Sequence, residues 1–123
     1  MKRRRPEQEL QKAVLKHLAW RGARDIFVFH YPAGGWRSSV EAAIFKSLGV
    51  VAGIPDLLII RNGHIFALEL KTADGHPTST QIDTQARMRA AGATVGTAVE
   101  IDAALERLEQ WGLLRPDVSM RAS

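Results

Sequence analysis

The sequence contains no cysteine. That excludes disulfides and thiolate metal sites, while leaving the compartment open. No segment approaches the roughly 20 consecutive apolar residues of a membrane-spanning helix. The basic N-terminal KRRRP is followed by the polar, periodic PEQELQKAV and not by an apolar stretch, so it does not read as a secretory signal. A soluble, cytoplasmic protein is the expectation. Three catalytic signatures are also missing: the GxxxxGK[ST] phosphate loop, the HExxH zinc motif and the GxSxG nucleophile elbow. The four histidines, His17, His30, His64 and His76, have no zinc-ligand spacing. Of these only His30, next to a glycine-rich stretch, invites a binding role.

What is present fits one domain. A chain of 123 residues with 46% hydrophobic content is long enough for one core and too short for two. We read 1–123 as a single unit with a basic arm at 1–5 and a loose tail at 113–123. Seventeen Lys and Arg against thirteen Asp and Glu give a net charge of +4, compatible with a polyanionic partner.

The chain is organised around residues 53–71, GIPDLLIIRNGHIFALELK. Two apolar runs, 57–60 and 65–70, flank Asn62-Gly63, the dipeptide best suited to the two positive-φ positions of a type I′ turn. With Asn62 and Gly63 as the loop, opposed positions sum to 125, and Asp56 falls across from Glu69. Like charges on opposed strand positions destabilise a sheet. Lys71, two residues beyond Glu69, shares its face, and the Leu70 carbonyl lies close by. Oxygen ligands with an open edge suit magnesium or manganese. The alternative is a salt-bridged triad of Asp56, Glu69 and Lys71 on a solvated sheet face. Apolar residues at both parities of each strand argue for a sheet covered on both sides, where charge is costly unless paired or bound to metal.

The remaining elements follow from periodicity and caps. Leu10, Val14 and Leu18 recur at i, i+4, i+8 in a helix from Pro6 that Gly22 stops. Glu7 borders its core stripe and Glu9 points away. Locally, Glu7 reads as a first-turn acid complementing the helix dipole. Residues 25–31 suit a strand. The loop at 32–37, PAGGWR, is either a simple turn or a place where Gly35, Trp36 and Arg37 meet a phosphate backbone. Ser39 is expected to cap a short helix with Val40, Ala43, Ile44 and Leu48 inward, ending at Gly49. Thr78 and Gln81 form a capping box for a helix to Ala91. Residues 94–99 make a last strand, and Asp102 caps a last helix carrying Leu105, Leu108 and Trp111. The order predicts an α/β fold with a mixed sheet of about four strands flanked by helices.

Opposed carboxylates with a nearby lysine suit phosphodiester hydrolysis assisted by a metal. The series EQELQ, YPAGGWR, LGVVAGIPDLLII, LELK and HPTSTQ with AAG resembles the VRR-NUC domain, a branch of the PD-(D/E)xK nuclease superfamily, from about Glu7 to Trp111. It is most similar in organisation to the stand-alone phage and bacterial members. The resemblance implies a restriction-endonuclease-like fold and a Mg2+- or Mn2+-dependent, structure-selective DNA endonuclease acting as a homodimer on four-way junctions. Flap or nicked DNA cleavage is the enzymatic alternative, and a non-catalytic DNA-binding module is the alternative of another class.

Position by position, the resemblance implies Asp56, Glu69, the Leu70 carbonyl and Glu7 as metal ligands. Lys71 is then the catalytic lysine and Gln81 the active-site glutamine, while Glu9 could stand in for Glu7. Gly53 and Pro55 shape the approach to the catalytic strand. His30, Gly35, Trp36 and Arg37 are the DNA-contact candidates, with Ala33 where the family commonly has asparagine. Trp20, Trp36 and Phe45 are apolar candidates for a dimer interface.

Overall fold

The computed structural model describes residues 4–31 and 38–116. In chain order the elements are α1 (Arg4–Arg21), β1 (Ile26–His30), α2 (Ser39–Ser47), β2 (Leu57–Arg61), β3 (His64–Lys71), α3 (Ser79–Ala90), β4 (Thr94–Val99) and α4 (Glu100–Gln110). The hairpin forms as its turn chemistry demands. Asn62 and Gly63 have φ of 51° and 77°, and Arg61 pairs with His64 and Leu57 with Leu68, each sum being 125. Strand β1 adds antiparallel to β2. α3 then returns the chain so that β4 pairs parallel with β3, giving a mixed sheet in the order β1-β2-β3-β4.

One sheet face is dry. Leu57, Ile59, Leu68 and Leu70 meet Leu10, Val14 and Leu18 of α1 and Ala104 and Leu108 of α4. Burying each such leucine or valine is worth about 1.5–3 kcal/mol, so this layer dominates the fold's stability. Leu113 and Leu114 complete it and are buried, and Leu114 bridges to Gly22. The tail therefore does not start at 113. Two leucines with nowhere else to bury their side chains continue the core past α4, while residues 117–123 lie outside the described residues, as do 1–3 of the basic arm. Arg21, itself buried, pairs with Glu109 at 2.9 Å and donates to the Arg115 carbonyl, tying the end of α1 to the chain after α4.

The other face is covered only in part. Leu58, Ala67 and Val95 pack with Met88 of α3 and with Tyr31 and Ile54. Phe27, Phe29 and Ile65 remain exposed, because α3 reaches over β3 and β4 and not over the turn end or β1. The expected cover on both sides holds for Leu57, Leu58 and Ile59 only.

Two further expectations are corrected. α2 forms, with Ser38 rather than Ser39 as its N-cap, accepting from the Glu41 amide at 3.1 Å. Its apolar residues are not inward, however, since Val40, Ala43, Ile44 and Leu48 are all exposed and no layer lies over them. Asp102 does not cap α4. Glu100 enters that helix directly after β4 with φ 67°, Val99 holds the cap position without a side-chain bond, and Asp102 falls inside the first turn. Among the described residues, no helix is long and apolar enough to cross a membrane.

Candidate active site

The site is built at the end of the sheet where β2 begins and β3 ends. Gly53, at φ 82°, has no room for a side chain: a Cβ there would lie 2.7 Å from the Thr80 carbonyl oxygen and 2.9 Å from Thr84 Oγ1. The Thr84 hydroxyl donates to the Ala52 carbonyl at 2.7 Å, and Pro55 is fully buried. The start of α3 thus clamps the loop before β2 and delivers Asp56 to the sheet end. From the other side, the Tyr31 amide donates to the Asp56 carbonyl at 3.3 Å, and His30 Nδ1 binds the same oxygen at 2.8 Å. Because a carbonyl only accepts, His30 carries its proton on Nδ1 in this contact.

One step beyond the Leu57–Leu68 pair, the register sets Asp56 against Glu69. Asp56 Oδ2 accepts from the Leu70 amide at 3.0 Å. Amide and carbonyl of one strand residue point to the same side, so the Leu70 carbonyl faces the Asp56 edge as well. Glu69 is only 3% exposed. Its Oε2 takes both available donors, Lys71 Nζ at 3.4 Å and Gln81 Nε2 at 3.1 Å. Its Oε1 is buried with no hydrogen-bond partner. Burial first, and the neighbouring Asp56 charge second, push the Glu69 carboxyl up to about 7 against the opposing pull of Lys71. The face is not solvated and the charges are not balanced, so a surface salt-bridge triad does not describe it.

Gln81 has both of the roles that the sequence suggested. Its Oε1 accepts from the Thr78 amide at 2.9 Å while Thr78 Oγ1 accepts from the Gln81 amide at 3.1 Å, completing the capping box. The same cap holds the amide group rigid and aims Nε2 at Glu69.

Other candidates are not gathered here. Glu7 is half-buried in the first turn of α1, with no hydrogen bond or ion pair to Asp56 or Glu69. Leu10, Val14 and Leu18 seat α1 on the dry face, whereas Asp56, Glu69 and Lys71 alternate onto the other. Among the described residues no group of three or more His, Asp or Glu side chains is placed to hold a metal. Glu9 is exposed and 3.7 Å from Lys12. Ala33, Gly35, Trp36 and Arg37 lie outside the described residues.

Two supporting residues were not legible beforehand. Thr84 clamps the loop, and its only sequence signal is its spacing of three from Gln81. Glu100 accepts from the Ala73 amide at 2.6 Å, fixing the chain just after Lys71, and no local pattern announces it.

No family profile matches the sequence, and no curated protein matches it. Solved structures do. One described as a VRR_NUC domain protein is 27% identical, covering 85% of this chain and 86% of its own, with a TM-score of 0.64. A second, described as a VRR_NUC domain, is 24% identical over 85% of this chain and 94% of its own, with a TM-score of 0.56. The second supports the fold, and the first supports sequence likeness as well. With the motif-bearing hairpin and the mixed sheet, they make this chain a VRR-NUC domain, nuclease-type, on a restriction-endonuclease-like fold.

Proposed function

We propose that the chain is a magnesium- or manganese-dependent endonuclease that hydrolyses phosphodiester bonds in structured DNA, with four-way junctions as the preferred substrate and a homodimer as the working form. One observation carries the metal-nuclease reading: a buried carboxylate oxygen, Glu69 Oε1, has no partner and stands beside a second carboxylate, Asp56. A buried anion in that state is expensive. A small divalent cation is the partner that fits, because the donors on offer are all hard oxygens: Glu69 Oε1, the Asp56 oxygen not bonded to the Leu70 amide, and the Leu70 carbonyl. When bound there, the cation would polarise the scissile phosphate and lower the pKa of a bound water.

The chain's own residues do the rest. Lys71 and Gln81 both hold Glu69 Oε2, which turns Oε1 toward the cation side. Lys71, 8% exposed, keeps an ammonium at the reacting edge, where it orients the attacking water and stabilises charge developing on the phosphate. Asp56 is fixed through its main chain by Tyr31 and His30 and through its side chain by Leu70, so the pair is pre-positioned before substrate arrives. The preference for junctions and the dimer rest on likeness to stand-alone members and on the need for two symmetric cuts, which a C2 dimer meets.

The test is cleavage of labelled junction, flap, nicked and linear DNA with magnesium or manganese, repeated with calcium. Cleavage of the junction that is lost in calcium and in Asp56→Asn is the expected result. Binding without cleavage under every metal would leave a DNA-binding module. Cleavage of linear duplex as fast as the junction would remove the resolvase part and leave the metal nuclease.

A further inference from the structure

α2 is nine residues long and none of them is buried. Isolated helices shorter than about 12–15 residues are marginal in water, and most helical stability in proteins comes from packing an apolar face. α2 has such a face and nothing on it. Val40, Ile44 and Leu48, at i, i+4, i+8, are 68%, 52% and 73% exposed. Toward α3 the helix is separated by a cavity of about 440 Å³, with Ala42, Ala43 and Lys46 on one wall and Thr80, Asp83 and Arg87 on the other.

We propose that the Val40, Ile44 and Leu48 stripe is where a second copy of this chain docks, the two α2 helices crossing antiparallel on a two-fold axis at Ile44. The spacing is self-complementary. With the axis at Ile44, opposed positions sum to 88, so Val40 lies against the partner's Leu48 and Ile44 against the partner's Ile44. Charge selects the same direction. Glu41 and Lys46 flank the stripe at opposite ends, and the antiparallel arrangement brings each toward the opposite sign, whereas a parallel one would set Glu41 near the partner's Glu41 and Lys46 near the partner's Lys46. DNA is a poor occupant, since the stripe offers only apolar side chains.

Three residues are too few for an interface of standard size, roughly 800 Å² per partner. The apolar surface, however, continues. Val51, 36% exposed, follows α2, and its amide donates to the Tyr31 hydroxyl at 3.2 Å. Tyr31 shares its sheet face with Phe29 and Phe27, which are 38% and 64% exposed and stack at 5.8 Å on the edge strand. α2 and the open half of the sheet therefore present one extended apolar surface.

The proposal deepens the homodimer part of the reading above and rests on it, but it is independent of metal chemistry. The absence of cysteine makes the test clean. Light scattering of the wild-type chain at micromolar concentration is compared with Ile44→Asp, and Ile44→Cys and Trp20→Cys chains are oxidised and run on non-reducing gels. Two-fold contact at Ile44 brings two such cysteines within the Cα separation of about 5.5–6 Å that a disulfide prefers.

We expect a wild-type dimer and an Ile44→Asp monomer of half the mass with unchanged far-UV circular dichroism. We also expect near-complete disulfide dimer for Ile44→Cys and little for Trp20→Cys. A monomeric wild type with and without junction DNA, an Ile44→Asp chain that remains dimeric, or cross-linking of Trp20→Cys in place of Ile44→Cys would each overturn it. A dimer broken by Ile44→Asp in a protein that cuts no DNA would sink the nuclease reading and keep the interface. A wild-type monomer that still nicks flap or nicked DNA would do the reverse.

Discussion

α1 and α2 carry the same apolar spacing and meet opposite fates. Leu10, Val14 and Leu18 are 7%, 0% and 6% exposed, while Val40, Ile44 and Leu48 are open to solvent. The sheet repeats the contrast through its thickness. Along β3, Leu68 and Leu70 enter the dry layer under α1 and α4, and Glu69 and Lys71, one residue out of phase, carry buried charge into the other. Periodicity specifies which side chains share a face. What covers that face, and whether it stays dry, is a matter of what else the chain brings there.

The sharpest test of this contrast sets the two phases of β3 and its partner strand against each other. Asp56→Asn and Glu69→Gln are expected to lower metal-dependent cleavage by several orders of magnitude, by removing a ligand, while leaving the fold intact. Leu68→Ala, on the dry face and 1% exposed, is expected to cost about 2–5 kcal/mol of stability with cleavage per folded molecule retained. Single-turnover rates and urea titrations separate the two. If Leu68→Ala destroys cleavage in fully folded protein, the faces are not independent.

The helices provide the next test. Leu18→Ala is expected to cost about 2–5 kcal/mol by leaving a cavity. In protein diluted below its association range, Ile44→Ala should change stability by no more than about 0.5 kcal/mol, as exposed substitutions do. Equal losses in chemical unfolding would mean that α2 is packed within its own subunit.

A third expectation concerns pH. The Glu69 carboxyl is raised to about 7 in the fold from 4.5, so between these values the folded protein holds more proton than the unfolded chain. Stability of the metal-free protein therefore falls as pH rises through that window. Asp56→Asn should flatten the fall by removing the second cause of the shift. Manganese at a pH of about 7.5 should raise the wild-type melting temperature, because the cation binds only the native pair. A melting temperature indifferent to millimolar manganese would count against the site.

The smallest effect is expected at α1. Glu7 makes no contact with the carboxylate pair, so Glu7→Gln should slow cleavage far less than Asp56→Asn, and Glu9→Gln, exposed beside Lys12, not at all. A Glu7→Gln loss as large as that of Asp56→Asn would show that α1 moves onto the pair when metal and DNA bind.

How much of this could be read in advance depends on the range of the interaction. The turn at Asn62-Gly63 fixed the Asp56–Glu69 pairing by counting, and the Thr78–Gln81 box placed Gln81, because both are governed by backbone geometry within a few residues. Asp102 was misjudged as a cap since the left-handed Glu100 starts α4 early, and Leu113 and Leu114 looked like tail because only α1 shows that they have a core to enter.

The sequence by itself determined the hairpin, its register, the facing carboxylates and the sheet class, for these follow from turn dihedrals, two-residue alternation and local caps. Only the tertiary structure decided that Gln81 and Lys71 share one oxygen of Glu69 and leave the other bare, that Thr84 holds the loop of Asp56, and that α1 is covered while α2 is not. Those outcomes depend on which surfaces distant segments bring together, and no local pattern encodes the partner a surface will meet.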